Sequence, residues 1–220
     1  MAPDVITVWS DISCPWATMA LHTLRSRAAE LGVRLDVDHR VFPLELINAE
    51  PTPHPAHDAE VAQITAVRAD LGWAAWSGPP WAYPVTTLPA LQAVQAAKVQ
   101  GLRAADALDG ALRRAFYVEH RMISLLPVIE EIAQECPAVD AERLGDALRS
   151  GAGQAAVNTD LQVATGGTIQ GSPHFWTADG AYAANPGVDD VADFRHYDAS
   201  WADDLIARTQ AAQPGNGGEA

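Results

Sequence analysis

The sequence of 220 residues predicts an α/β fold split by an all-helical insertion, and three observations carry that prediction. Residues 1–45 read as strand, helix, strand; the stretch from about 88 to 149 is rich in Ala, Leu and charge at helical spacing; and residues 154–212 read as helix, strand, strand, helix. A long helical stretch between the two halves of a strand-bearing unit places one structural domain inside another. The expected division is 1–45 with 151–212 for the split α/β domain, 46–150 for the helical insertion, and 213–220 for a disordered tail.

Each element has its own signal. Val5–Ser10 (VITVWS) is short, β-branched and aromatic, as a buried strand requires. Apolar residues recur at helical spacing over 17–31 until Gly32 stops the helix. Residues 35–42 (LDVDHRVF) alternate if His39 is counted among the inward positions, and they end at Pro43; a helix joins this strand to the first, so the two are expected to lie parallel and adjacent. From 51 to 89 Pro, His and Trp are dense, with Trp73, Trp76 and Trp81 close together, which reads as a connecting region with aromatic anchors. Three or four helices are expected over 88–149, broken at Gly101, near 124–127 and at Pro137. A helix over 154–164 stops at Gly166-Gly167, and residues 168–176 and 181–184 read as two strands about a tight Asp179-Gly180 turn. A last helix is expected from about 188 to 212.

Composition removes several functions. Fourteen basic against 28 acidic residues give a net charge of −14, which repels nucleic acid and anionic membrane surfaces, so neither is expected as a partner. No stretch approaches the roughly 20 apolar residues that cross a bilayer, and the opening MAPDVITVWSD has neither the basic nor the apolar region of a secretion signal; a cytoplasmic protein is expected. His54, His57 and Asp58 have a spacing a metal could use, but no further ligand cluster accompanies them, and no metal site is expected. GAGQAA at 151–156 follows a helix rather than a strand, so it is no dinucleotide fingerprint.

Two cysteines, Cys14 and Cys136, are too few for a disulfide-stapled scaffold or a structural zinc site, so any thiol chemistry starts from one of them. Cys14 follows a strand and opens a helix. Free backbone N–H groups and the positive end of the helix dipole favour thiolate there and can bring a thiol from about 8.5 down to roughly 3.5–7.5. Pro15 suits the first helical position because its missing N–H would have had no intrahelical partner. The competing reading is a buried, inert thiol, the common state of a free cysteine. Cys136, near a helix end in QECPAVD, reads as structural.

WSDISCPWA at 9–17 resembles the active-site opening of the cytoplasmic DsbA-like oxidoreductases of the FrnE group, in which a strand is followed by Asp, two residues and Cys-Pro-Trp-Cys. Asp11, Cys14, Pro15 and Trp16 match. Gly171-Ser172-Pro173 followed by Phe175 resembles that family's glycine, small residue, cis-proline and strand, and AFYVEHRMIS at 115–124 is similar to part of its helical insertion. The resemblance implies a thioredoxin-like fold with an all-helical insertion domain, Cys14 as the nucleophile within the motif Pro15, Trp16 and Ala17, and Ser172 and Pro173 as residues that bind substrate. His174, where the family usually carries Thr or another small residue, joins the substrate-binding candidates only through its place next to Pro173, its competing role being a strand surface residue.

Ala17 departs from the pattern, since a dithiol enzyme resolves its mixed disulfide with a cysteine at this position. What the residues leave is monothiol chemistry on a small-molecule or peptide thiol or disulfide, with no tightly bound cofactor and a low-molecular-weight thiol as co-substrate. A partial likeness to kappa-class glutathione transferases and 2-hydroxychromene-2-carboxylate isomerases, which also lack the second cysteine, keeps a thiol-dependent transferase or isomerase of a small aromatic compound open. A non-catalytic binding module, or a two-cysteine enzyme whose second cysteine has been replaced, stays open beside it.

Overall fold

The computed structural model describes residues 5–51 and 53–211. Strand β1 (Val5–Ser10) leads through a four-residue loop into α1 (Pro15–Glu30), and β2 (Asp36–Val41) returns parallel to β1 in the register Val5↔Asp36 to Ser10↔Val41. A short α2 (Leu44–Ile47) and α3 (His54–Val67) precede four helices: α4 (Leu88–Ala97), α5 (Leu102–Tyr117), α6 (Leu126–Gln134) and α7 (Ala141–Arg149). The chain then re-enters the sheet region through α8 (Gln154–Ala164), β3 (His174–Trp176) and β4 (Tyr182–Ala184), and ends its described part with α9 (Ser200–Ala211). The sheet order is β2-β1-β3-β4, with β3 antiparallel to β1 and β4 antiparallel to β3.

All six residues of β1 are buried, as a central strand covered on both faces requires. Strand alternation divides them. Ile6 and Val8 face α1 and α9, packing with Leu21, Leu24, Phe175, Leu205 and Ile206, whereas Trp9 packs on the other face with Phe42, Ala164 and Ile169. The helical block has its own core around Leu91, Leu108, Leu112, Phe116, Ile129 and Ile132, and Ile12 and Val41 reach into it from the sheet side. Gly153 shows how tightly α8 is held to α4: its φ is +89° and a Cβ there would stand 2.2 Å from the carbonyl oxygen of Gln92, so only glycine fits.

Between α1, β2 and α5 lies a charge network in which His39, Asp109 and Arg113 are buried and Arg25 and Asp106 half-buried. Arg25 Nη2 donates to Asp106 Oδ1 at 2.6 Å and to Asp109 Oδ2 at 2.7 Å, Arg113 Nε donates to Asp109 Oδ2 at 2.9 Å, and His39 Nε2 meets Asp106 Oδ1 at 2.8 Å. Burial opposes charge on both carboxyls, yet the cations outweigh it. Asp106 is held down at about 2, with Arg25 and His39 the main lowering partners, and Asp109 is held far below the carboxylate range by Arg113, His39 and Arg25. Ligand atoms of His39, Asp106 and Asp109 lie within 4.8 Å of one another, a grouping that could hold a metal ion, but the two guanidiniums already fill the place of a cation.

Four expectations need correction. The region 51–89 is not all connection: α3 forms there because Pro55 falls in its first turn, where the lost N–H costs no helical bond. Of the aromatic anchors, Trp73 and Trp76 are half-buried against Tyr117, Tyr83 and Phe116, but Trp81 is 79% exposed and anchors nothing. Strand β3 occupies only the end of 168–176, since Ser172 accepts at its hydroxyl from Asp11 N and at its carbonyl from Cys14 Sγ and so leaves the ladder. The last helix starts at Ser200 and not near 188; just before it, Asp198 accepts from the backbone N–H and hydroxyl of Ser200 at 2.9 Å each and turns the chain into the helix. The tail at 213–220 lies outside the described residues.

Candidate active site

The loop from β1 to α1 is built around Asp11, which is fully buried. Its Oδ1 accepts from Ser13 N at 2.8 Å, Ser13 Oγ at 3.0 Å and Thr87 Oγ1 at 2.7 Å, while Oδ2 accepts from Leu44 N at 2.8 Å. One carboxylate therefore ties the loop to the segment after β2 and to the start of α4. Asp11 N donates to Ser172 Oγ at 2.9 Å, which fixes the loop before β3 alongside.

Cys14 is the N-cap of α1, with φ −77° and ψ 112°, and Pro15 stands in the first turn as its fixed φ favours. The Sγ accepts from Ala17 N at 3.4 Å and donates to the Ser172 carbonyl at 3.0 Å. The Ser172-Pro173 peptide is cis. Cys14, Ser172 and Pro173, read from opposite ends of the chain, are thus brought to one place. Trp16 is buried edge-on against Phe194, ring centres 5.1 Å apart, and Ala17 is buried with no accessible surface.

His174 does not join them. It has no accessible surface, accepts at Nδ1 from Gln170 N at 2.9 Å and stacks on Trp176, while its Nε2 is buried without a hydrogen-bond partner. Cys136 sits in the core of the helical block with Ile132, Ala133 and Val139, away from the cluster of Trp16, Met19 and Ile64 that holds Cys14; both cysteines are free.

The thiol is not the activated one the helix terminus suggested. Burial pushes Cys14 up to about 11; the bonds with Ser172 and Ala17 pull the other way, and the charges of Glu60 and Asp11 add to the rise. Only one helix N–H reaches the sulfur, and at long range, while Cys14 as a residue is 5% exposed. Desolvation wins over the dipole. The rate of Cys14 alkylation by iodoacetamide should therefore keep rising through pH 9 and reach its midpoint near 11; a plateau below neutral pH would show that the dipole prevails after all.

Glu60, Tyr117 and Arg113 belong to this site and were missed in the sequence. Glu60 lies on α3, beside Trp16, and its carboxyl is raised by burial. Tyr117 Oη donates to the Ile12 carbonyl at 3.1 Å. Arg113 follows Asp109 at the i, i+4 spacing of an ion pair, the single sequence signal that separates it from exposed Arg114. One turn of α1 beyond Cys14, a cavity of about 410 Å³ opens, lined by Thr18, His22, Leu71, Trp73, Arg113 and Val118 among others. Its size suits a small organic molecule. His54 and His57 are taken up elsewhere, packing on Tyr83, Phe116 and Tyr117, and burial pushes His57 down to about 4.

Comparison with known proteins agrees with this geometry. No curated protein sequence matches the chain. Among solved structures it is similar to a probable DsbA oxidoreductase from Streptomyces coelicolor, with 19% identity, TM-score 0.63 and coverage of 96% of this chain and 92% of that one. It is similar as well to the cytosolic disulfide reductase DsbM from Pseudomonas aeruginosa (19% identity, TM-score 0.58, 94% and 97% covered). A 2-hydroxychromene-2-carboxylate isomerase shares the fold at 13% identity and TM-score 0.54, with 81% and 87% covered. No helix among the described residues is long and apolar enough to cross a membrane. The model of the DsbA-like thioredoxin domain matches residues 5–197, nearly the whole chain, and the protein belongs to that family.

Proposed function

We propose that the protein is a single-cysteine thiol–disulfide oxidoreductase in which Cys14 forms a mixed disulfide that an external small thiol resolves. The observation that carries this reading is the Cys14 sulfur set 3.0 Å from the Ser172 carbonyl with a methyl group, Ala17, where a resolving thiol would stand. In the first step Cys14 loses its proton to solvent and its thiolate attacks one sulfur of R–S–S–R′. The S–S bond breaks, R′–S⁻ leaves and takes up a proton, and Cys14–S–S–R remains. A low-molecular-weight thiol R″–SH then attacks as thiolate, releases R–S–S–R″ and returns Cys14 to the thiol. No tightly bound cofactor is needed.

The raised affinity of Cys14 for its proton slows the first step. A thiol titrating near 11 is ionised at pH 7 to the order of one part in ten thousand. Ligand entry that displaces the Ser172 carbonyl or admits water relieves the desolvation and raises that fraction.

The same neutral S–H supports a second reading. A buried thiol that donates, as Cys14 does to Ser172, can donate instead to the sulfur of a bound small thiol and hold it as thiolate. The 410 Å³ cavity one turn along α1 would then take an apolar co-substrate, either in a transferase role or in an isomerase role, the latter alone being of the kind named in the 2-hydroxychromene-2-carboxylate isomerase neighbour.

Intact mass spectrometry after incubation with a small symmetric disulfide separates the two. Thiol–disulfide exchange predicts one adduct, on the Cys14 peptide, that is removed by added thiol and absent in Cys14→Ser. Absence of any adduct over hours at pH 8, with conjugation of an electrophile by the free small thiol still accelerated, would replace the first reading by the second. A Cys14–Cys136 bridge would overturn both.

A further inference from the structure

Arg113 belongs to α5 in the helical block, but its hydrogen bonds go to the segment that carries Cys14. The side chain is 3% exposed. Nε donates to Asp109 at 3.1 Å (Oδ1) and 2.9 Å (Oδ2); Nη1 donates to the Asp11 carbonyl at 3.0 Å and to Thr18 Oγ1 at 2.7 Å; Nη2 donates to Ser10 Oγ at 2.9 Å. Thr18 Oγ1 donates in turn to the Cys14 carbonyl at 3.1 Å. One guanidinium thus grips the last residue of β1 and the first turn of α1, the two ends of the segment holding the cysteine. One helical turn further along α5, Tyr117 holds the middle of the same segment at Ile12.

We propose that Arg113 is a positioning residue that seats Cys14 against the Ser172 carbonyl, so that the helical insertion, and not the sheet alone, fixes the place of the thiol. A planar fork with five donors in fixed directions can hold these acceptors at once; a lysine ammonium, a single point on a flexible stem, cannot. Asp109 fixes the fork itself, and Arg25 and Asp106 brace Asp109 from α1 and α5. When the grip is lost, the segment from 10 to 18 loosens, water reaches the sulfur, and the desolvation that keeps Cys14 neutral weakens. Reactivity toward a small electrophile then rises while exchange with a substrate that must be aligned on Ser172 falls. These opposite changes distinguish positioning from mere support of the fold. The consequence for exchange rests on the proposed function; the effect on the thiol does not.

The test is alkylation of Cys14 by iodoacetamide from about pH 6 to 11, read by peptide mass spectrometry with Cys136 quantified separately. Arg113→Met, Arg113→Lys and Thr18→Val are compared with the unchanged protein below their melting temperatures. Arg113→Met should label Cys14 about tenfold faster at pH 8, with the midpoint lowered by about one pH unit or more. Thr18→Val, which removes one link and leaves the Asp109 pair, should shift the same way by less, and Arg113→Lys should fall between Met and the original. Unchanged Cys14 labelling in folded Arg113→Met, or in Thr18→Val should Arg113→Met not fold, would reduce Arg113 to a structural residue and overturn the proposal. Failure of the original protein to form an adduct with a small disulfide would sink the proposed function and leave this shift intact.

Discussion

Ala17→Cys should convert a protein that stops at a mixed disulfide into one that closes its own bridge. Residue 17 is buried one helical turn beyond the N-cap, and its backbone N–H already points at the Cys14 sulfur from 3.4 Å. A cysteine at 17 restores the Cys-X-X-Cys spacing, at which a second thiol can attack a mixed disulfide on the first. After reaction with a small disulfide, the original protein should keep its adduct until a thiol is added. Ala17→Cys should expel the adduct and end lighter by two hydrogens, its adduct lifetime shortened on the order of a hundredfold or more by the local attack. Stopped samples weighed intact would show it. An equally persistent adduct in Ala17→Cys would mean that the reacting sulfur turns away from position 17 once linked, and that Ala17 is not what sets the single-cysteine chemistry.

The sheet and the position of Cys14 were legible because they rest on local rules. Val5–Ser10 has the residue types of a covered strand, Gly32 ends the helix, and Cys-Pro at a strand-to-helix junction puts the sulfur at the N-cap. Ser172 and Pro173 were legible through resemblance alone, since nothing local connects them to a cysteine 158 positions away. What sequence could not supply was burial. The dipole argument for a low Cys14 pKa was sound as far as it went, but it omitted Trp16, Phe194, Tyr117 and Glu60, which come from four parts of the chain to enclose or charge the site. The surroundings of His174 were hidden for the same reason: adjacency to Pro173 suggested a ligand contact, whereas in the fold the ring has no accessible surface and accepts from Gln170 N. Arg113 and Arg114 are neighbours of one type; the Asp109 spacing marks Arg113 as an ion-pair partner, but its burial against Ser10, Asp11 and Thr18 comes from packing that the sequence does not display.

Asp109→Asn should destabilise the protein by about 3–5 kcal/mol at neutral pH, the range for breaking a buried ion pair from one side. The carboxylate is 2% exposed and is shared by Arg25 and Arg113, so the neutral amide leaves two guanidiniums facing each other across an uncharged group. Surface pairs such as Arg195 with Asp193 lie at the other extreme, where solvent screening leaves little to lose. The pH dependence follows from the direction of the shifts. Asp106 and Asp109 both titrate lower in the folded state than the unfolded value of about 3.9, Asp106 at about 2 and Asp109 below it. Their contribution is complete above about pH 4 and is lost as pH falls through the folded values. The gap in urea midpoint between the original protein and Asp109→Asn should therefore stay constant from pH 7 to about 4.5 and narrow toward pH 2. A constant gap down to pH 2, or no gap at pH 7, would show that the charge on Asp109 is not what holds α5 to α1 and β2.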